Sequence, residues 1–118
     1  SEHQAGLALD LYVPQFGGWA FTKSAAGRFV DTNCRDYGFI VRYPSYGEKQ
    51  TGIPYEPWHL RYVGLPHSQI IMDEYLTLEE YIDLFELDSF YQYGSYLISH
   101  QNGRVIHAPT GCKHVTVT

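Results

Sequence analysis

Apolar and polar side chains alternate from Leu7 to Val13, with Leu7, Leu9, Leu11 and Val13 separated by Ala8, Asp10 and Tyr12. A period of two predicts a strand that buries one face and presents the other to a site, and Asp10 falls on the presented face. Residues 14–23 contain Pro14, Gly17 and Gly18 and read as a loop over the cleft beside that strand. Ser24 to Tyr37 predicts a helix, with Ser24 as N-cap, Phe29, Val30 and Cys34 among its apolar positions, and Gly38 as a left-handed stop. Phe39 to Tyr43 returns as a strand, and residues 44–54, rich in Gly, Pro and polar side chains, predict a mobile surface connection. Alternation resumes at Trp58 to Val63, placing His59 and Arg61 on one face and Trp58, Leu60 and Tyr62 on the other. If the two alternating strands are neighbours, His59 comes to lie beside Asp10. Pro66 to Tyr75 and Thr77 to Leu87 read as short helices that support the sheet, the second opened by a Thr77/Glu80 capping box.

From Phe90 onward the pattern changes, and Asn102-Gly103 between alternating apolar runs predicts a hairpin. Lys113 to Thr118 reads as half of a second hairpin that stops abruptly. The expected class is α+β: a small antiparallel sheet flanked by helices, with a C-terminal β-hairpin appendage. Residues 1–88 form the expected main domain and residues 89–118 the β-rich appendage, cut short at its end. No internal repeat or low-complexity segment interrupts this organisation.

Bulk properties narrow the partners. A chain of 118 residues suits one modest core. A net charge of -5 and the lack of any Lys/Arg run disfavour a phosphate backbone, so nucleic acid is not an expected partner. No stretch approaches the ~20 apolar residues of a membrane span. Cys34 and Cys112 stand in unrelated contexts and predict neither a Cys-x-x-Cys metal site nor a disulfide framework. The 11 tyrosines could line a carbohydrate or peptide groove, although amphipathic packing accounts for them more simply.

Asp10 is the odd residue in its strand. Burying a carboxylate beside Ala8, Leu9 and Leu11 costs several kcal/mol without a positive partner, and a metal ion is an efficient one. Zinc in hydrolases commonly takes three protein ligands from imidazoles and carboxylates and leaves a fourth position for water. His3, Asp10 and His59 supply such a set. Glu56, three residues before His59, is placed to serve as general base, or else to pair with Arg61 or a lysine. His67 reads as a helix-capping residue. His100, His107 and His114 recur every seven residues, but separate hairpin strands would scatter them.

The pattern Ser-x-His, six residues, Asp, and later Glu-x-x-His is met by Ser1, His3, Asp10, Glu56 and His59. Together with Tyr37-Gly-Phe-Ile-Val-Arg-Tyr-Pro44, Thr51-Gly-Ile-Pro-Tyr-Glu56, Arg61-Tyr-Val-Gly64 and Leu78-Glu-Glu-Tyr81, it resembles the zinc D,D-peptidases of bacterial cell-wall metabolism. These are the VanY, VanX and VanXY types, and the likeness covers roughly residues 1–85. The resemblance implies a Hedgehog/D,D-peptidase-like fold and one Zn2+ per chain held by His3, Asp10 and His59, with Glu56 as base. It further implies hydrolysis of the terminal D-Ala-D-Ala bond of peptidoglycan stem peptides or precursors. Ser1 occupies a substrate-binding position of the family, or is a terminal turn residue; Tyr55 and Trp58 either shape the pocket or pack the core.

Family members carry an upstream Arg on a helical segment that assists catalysis. Arg28, Arg35, Arg42 and Arg61 occupy other contexts, and the chain, which begins at the motif, reads as truncated at its N-terminus. The rival expectations are a D,D-dipeptidase acting on free D-Ala-D-Ala, distinguished by closure of the loops at 14–23 and 44–54, and a non-catalytic zinc-containing wall-peptide binding module. A metal-free adhesion domain requires both motifs to be coincidental. Stem peptides lie outside the membrane, so the expected location is extracytoplasmic. The segment Gly64-Leu-Pro-His-Ser68, similar to cytoplasmic bifunctional enzymes, keeps a cytoplasmic location as the alternative.

Overall fold

Strands β1 (Ala8–Asp10), β2 (Phe39–Tyr43) and β3 (Glu56–Tyr62) form an antiparallel sheet in the order β1-β3-β2. This computed structural model describes residues 2–84, 90–93, 95–101 and 104–109. The register sets Asp10 opposite His59, Leu9 opposite Leu60 and Ala8 opposite Arg61, so the adjacency expected of His59 and Asp10 holds. β1 is shorter than the alternation from Leu7 to Val13 suggests, and its burial does not alternate: Ala8 is buried, while Leu9, at 49%, and Asp10 are exposed, so Asp10 is not the buried carboxylate expected. The reason is its edge position: α1 (Ala25–Asn33) and the 3₁₀ turn Gly18–Lys23 pack on β3, and α3 (His67–Asp73) packs on β2.

β3 begins at Glu56, two residues before the expected start, in spite of Pro57. Proline cannot donate to a ladder and is confined to edges and irregularities. Here the β2–β3 register shifts between Val41 and Tyr43, with Val41 opposite Leu60 and Tyr43 opposite Glu56. This irregularity bears on the chemistry described below.

Residues 14–23 are more ordered than a loop, since Phe21 is buried and anchors the 3₁₀ turn. The helix expected from Ser24 to Tyr37 is α1 followed by a tighter 3₁₀ turn, Cys34–Tyr37. Its ends follow the expectation. The Ser24 hydroxyl accepts the Gly27 N–H at 2.9 Å, and Gly38 stops the segment at φ 87°. Gly38 has a further reason to lack a side chain, because a Cβ there would come within 2.7 Å of the Tyr62 ring. At Gly27 a Cβ would fall on the Phe21 carbonyl oxygen, which belongs to backbone and cannot swing aside. Gly27→Ala is therefore expected to destabilise the chain by about 1–3 kcal/mol in chemical denaturation, the usual cost of overpacking.

The connection at 44–54 contains a single helical turn, α2 (Glu48–Thr51), closed by Gly52 at φ 76°, where a wholly mobile segment was expected. α3 buries Ile70, Ile71 and Met72, and Ser68 Oγ donates to the Arg35 carbonyl at 2.7 Å. The N-cap of α3 is Pro66; His67 is instead its buried first residue, a correction to the capping role. Cys34 lies in the core as a free thiol, and burial pushes its pKa up to about 11. Cys112 and His114 lie outside the described residues.

By contacts, the chain divides into the units Ser1–Leu78 and Glu79–Thr118. α4 (Leu78–Leu84) leads into the second, with Tyr81 fully buried. Its sheet runs β4 (Phe90–Tyr93), β5 (Tyr96–Gln101) and β6 (Arg104–Pro109) in antiparallel order, one strand more than a hairpin. Gln101 pairs with Arg104, as a two-residue connection requires, although residues 102–103 and the expected half-hairpin Lys113 to Thr118 lie outside the described residues. His100 pairs with Val105 and His107 with Ile98. Among the described residues no helix is long and apolar enough to cross a membrane.

Candidate metal centre

A tight turn carries the first ligand candidate back over the sheet. The Gly6 N–H donates to the His3 carbonyl and the Leu7 N–H to the Glu2 carbonyl, both at 3.0 Å, with Gly6 at φ 74° permitting the reversal. The Leu7 carbonyl then accepts the Tyr62 N–H at 2.8 Å, which locks the turn to β3. His3 Nε2 thereby lies 3.3 Å from Asp10 Oδ2. From the opposing strand, His59 Nδ1 lies 3.2 Å from Asp10 Oδ1. The two imidazoles meet edge to face with centroids 4.7 Å apart.

His3, Asp10 and His59 thus each offer one donor atom, all within 4.8 Å of one another, and could hold a metal ion. A tetrahedral ion with bonds of ~2.0–2.1 Å separates its ligands by ~3.4 Å; His3 Nε2 and His59 Nδ1 lie 3.3 and 3.2 Å from the two different oxygens of Asp10. Two imidazoles and a carboxylate form a donor set suited to zinc.

Glu56 enters the same space, with Oε1 3.5 Å from His59 Nδ1. Side chains three residues apart on a regular strand point to opposite faces. The register irregularity beside Glu56 breaks that alternation and lets both groups address one point.

The other nitrogen of His59 faces a residue that motif reading passes over. His59 Nε2 lies 2.7 Å from Glu2 Oε1, while Glu2 Oε2 accepts from Arg61 Nη1 at 2.7 Å and Arg42 Nε at 3.3 Å. Burial alone would raise the Glu2 carboxyl pKa; the hydrogen bonds from His59 and Arg61 and the charges of Arg42 and Arg61 outweigh it and hold the pKa below the ordinary value. An ionised carboxylate only accepts, so His59 Nε2 carries the proton and donates. In a neutral imidazole that tautomer places the lone pair on Nδ1, which lies 3.2 Å from Asp10 Oδ1 and 3.5 Å from Glu56 Oε1. Asp10, its side chain 55% exposed, and Glu56 thus present acceptor oxygens on the side of His59 away from Glu2, an arrangement a cation would complement. Tyr43 closes the arrangement, its ring centroid 4.9 Å from that of His59.

The remaining predicted residues stand apart from this group or outside the description. Ser1 lies outside the described residues. Tyr55 packs edge to face on Trp19 at 5.9 Å and lines a cavity of about 210 Å³ with Asp31, Arg35, Tyr46 and Tyr75. Its phenol pKa is pushed up by burial and by the charge of Asp31. Trp58 is partly exposed, and its carbonyl accepts the Leu11 N–H at 2.9 Å, extending the β1–β3 ladder. Arg61, considered above as a partner for Glu56, holds Glu2 instead. Glu2 was missed because it fills the unspecified place of Ser-x-His; the available signal was an acidic residue beside a ligand candidate, with one arginine on each of two strands, Arg42 and Arg61.

The profile of the VanY family, D-alanyl-D-alanine carboxypeptidase, matches residues 1–65, a span holding Glu2, His3, Asp10, Glu56 and His59. The chain belongs to the VanY family. This VanY chain is 48% identical over 93 residues to the bifunctional D-Ala-D-Ala dipeptidase and D-Ala-D-Ala carboxypeptidase VanXYC of Enterococcus gallinarum, covering 70% of the chain and 46% of the relative. It is similar to the solved LdcB LD-carboxypeptidase, at 49% identity and a TM-score of 0.66, covering 70% of the chain and 40% of that structure. A zinc(II) complex of a variant of the vancomycin-resistance D,D-pentapeptidase VanY is also similar, at 39% identity and a TM-score of 0.57, covering 70% and 44%. The α+β architecture implied by the resemblance is the one found. The chain spans 26% to 46% of the length of the curated relatives it matches.

Proposed function

We propose that this VanY chain carries the metal-binding part of a zinc carboxypeptidase that removes the terminal D-Ala from D-Ala-D-Ala-ended stem peptides or their precursors. The observation that carries the reading is the convergence of His3, Asp10 and His59 within 4.8 Å, with the Glu56 carboxylate 3.5 Å from His59. A zinc ion held there, one per chain, would polarise the scissile carbonyl and acidify a water. Glu56 takes the proton of the attacking water and returns it to the leaving amine. Its partial exposure suits that work, because the group must meet substrate from the open side. Asp10 contributes a negative charge in place of a third imidazole, which makes the water less acidic than an all-histidine site would. Ser1, Tyr55 and Trp58 are the proposed substrate contacts. Completed stem peptides lie outside the membrane, and the proposed place of action is extracytoplasmic; cytoplasmic precursors are the alternative.

The relatives divide by substrate, so the test varies the peptide. The zinc-loaded chain is incubated with a D-Ala-D-Ala pentapeptide, the tetrapeptide ending in a single D-Ala, and free D-Ala-D-Ala, and D-Ala release is followed by a coupled oxidase. We expect kcat/KM on the pentapeptide to exceed the others by at least about tenfold, the discrimination one additional set of contacts supplies. A preference for the free dipeptide establishes the dipeptidase instead, and preference for the tetrapeptide an L,D-carboxypeptidase. Stoichiometric zinc without any release by the full-length protein overturns hydrolysis in favour of a binding module.

A further inference from the structure

We infer that Glu2 is a positioning residue for the metal centre: held by Arg42 and Arg61, it accepts the Nε2 proton of His59 and so fixes Nδ1 as the coordinating atom. The inference rests on the proposed zinc site and adds what selects the atom of His59 that serves it. A neutral imidazole has two tautomers, and only the one protonated at Nε2 leaves a lone pair toward Asp10 and Glu56. Glu2 Oε1, 2.7 Å from Nε2, stabilises that tautomer. Its other oxygen is tied to Arg61 at 2.7 Å and Arg42 at 3.3 Å, one guanidinium from β3 and one from β2, which prevents the carboxylate from turning toward the metal as a competing ligand. The Glu2 backbone is fixed as well, its carbonyl accepting the Leu7 N–H at the start of β1. Neighbouring rings restrain the imidazole plane, with His3 at 4.7 Å and Tyr43 at 4.9 Å between centroids. Ring contacts of this kind set a plane but do not choose between two nitrogens. The choice falls to the hydrogen bond, which makes Glu2 the polar counterpart of a ligand without being one.

The test first establishes zinc binding to the parent chain by competition with a chromophoric chelator. Failure there overturns the proposed function itself and is distinguishable from failure of the present inference. In the metal-free parent, proton–nitrogen correlation spectra of the imidazoles are expected to show His59 protonated at Nε2. In Glu2→Ala the tautomer populations should redistribute, zinc affinity should fall by about 10–100-fold, and the visible spectrum of the cobalt-substituted chain should shift. Glu2→Gln keeps an acceptor oxygen on the same stem and should restore the Nε2 tautomer and at least about half of the lost affinity on a logarithmic scale, within the range expected for an outer partner. The inference is overturned if Glu2→Ala keeps the parent tautomer and zinc affinity, or if Glu2→Gln loses as much affinity as Glu2→Ala. Should Glu2→Ala fail to fold, the tautomer and affinity of Glu2→Gln decide alone: parent-like values support the assignment, and a mixed tautomer overturns it.

Discussion

Glu56→Gln is expected to lower kcat on the pentapeptide by about 10²–10⁴-fold, the contribution typical of a positioned general base, while zinc content stays at the parent level. Glutamine keeps the volume and one oxygen of the side chain but cannot accept a proton at neutral pH. Glu56 is not one of the three converging ligand candidates, and its Oε1 lies 3.5 Å from His59 Nδ1. Removing its charge therefore leaves the donor set intact. The comparison requires turnover and metal content on the same preparation, for instance D-Ala release alongside elemental analysis. Parent-level turnover in zinc-loaded Glu56→Gln would refute the base assignment, and loss of zinc would make Glu56 a ligand.

A second large effect separates the two histidines. His3→Ala and His59→Ala should each weaken zinc binding by roughly 10²–10³-fold, one ligand's share of a typical zinc binding free energy. Their consequences without metal should differ. The His59 side chain is only 7% exposed and hydrogen-bonds Glu2, whereas that of His3 is 43% exposed. His59→Ala leaves a cavity and removes a partner of a largely buried carboxylate, at a cost of about 2–4 kcal/mol. His3→Ala, on an exposed turn, should change the stability of the metal-free chain by less than about 0.5 kcal/mol. Denaturant titrations in excess chelator read this difference. Equal losses in the two variants would contradict the burial assigned to His59.

Much of the sheet was legible because its signals are local. Alternation marked two strands of the first unit, β1 and β3, and Ser24 and Gly38 marked the ends of a helical segment. Misreadings arose where distant contacts overrode local pattern. Residues 18–23 look like loop in composition, yet burial of Phe21 beneath them pins a 3₁₀ turn. Leu9 looks like core, yet its strand is an edge, and the covering helices lie over β3 and β2. β3 begins two residues before the alternation from Trp58 does, because the irregular register between Val41 and Tyr43 accommodates Pro57.

For the site, residue types and their order along the chain were enough to name His3, Asp10, His59 and Glu56 as the candidates and to place the chain among the VanY relatives, because ligand chemistry is a property of side chains and motif spacing survives in one dimension. Which nitrogen of His59 faces the metal, and that Glu56 shares its side of the strand, depended on the fold. The first is set by Glu2, 57 residues away in sequence, and the arginine clamp on Glu2 reaches across 40 and 59 residues. The second follows from an irregularity between two strands. Neither has a local signature, since hydrogen bonds and strand register are made only when separated segments meet.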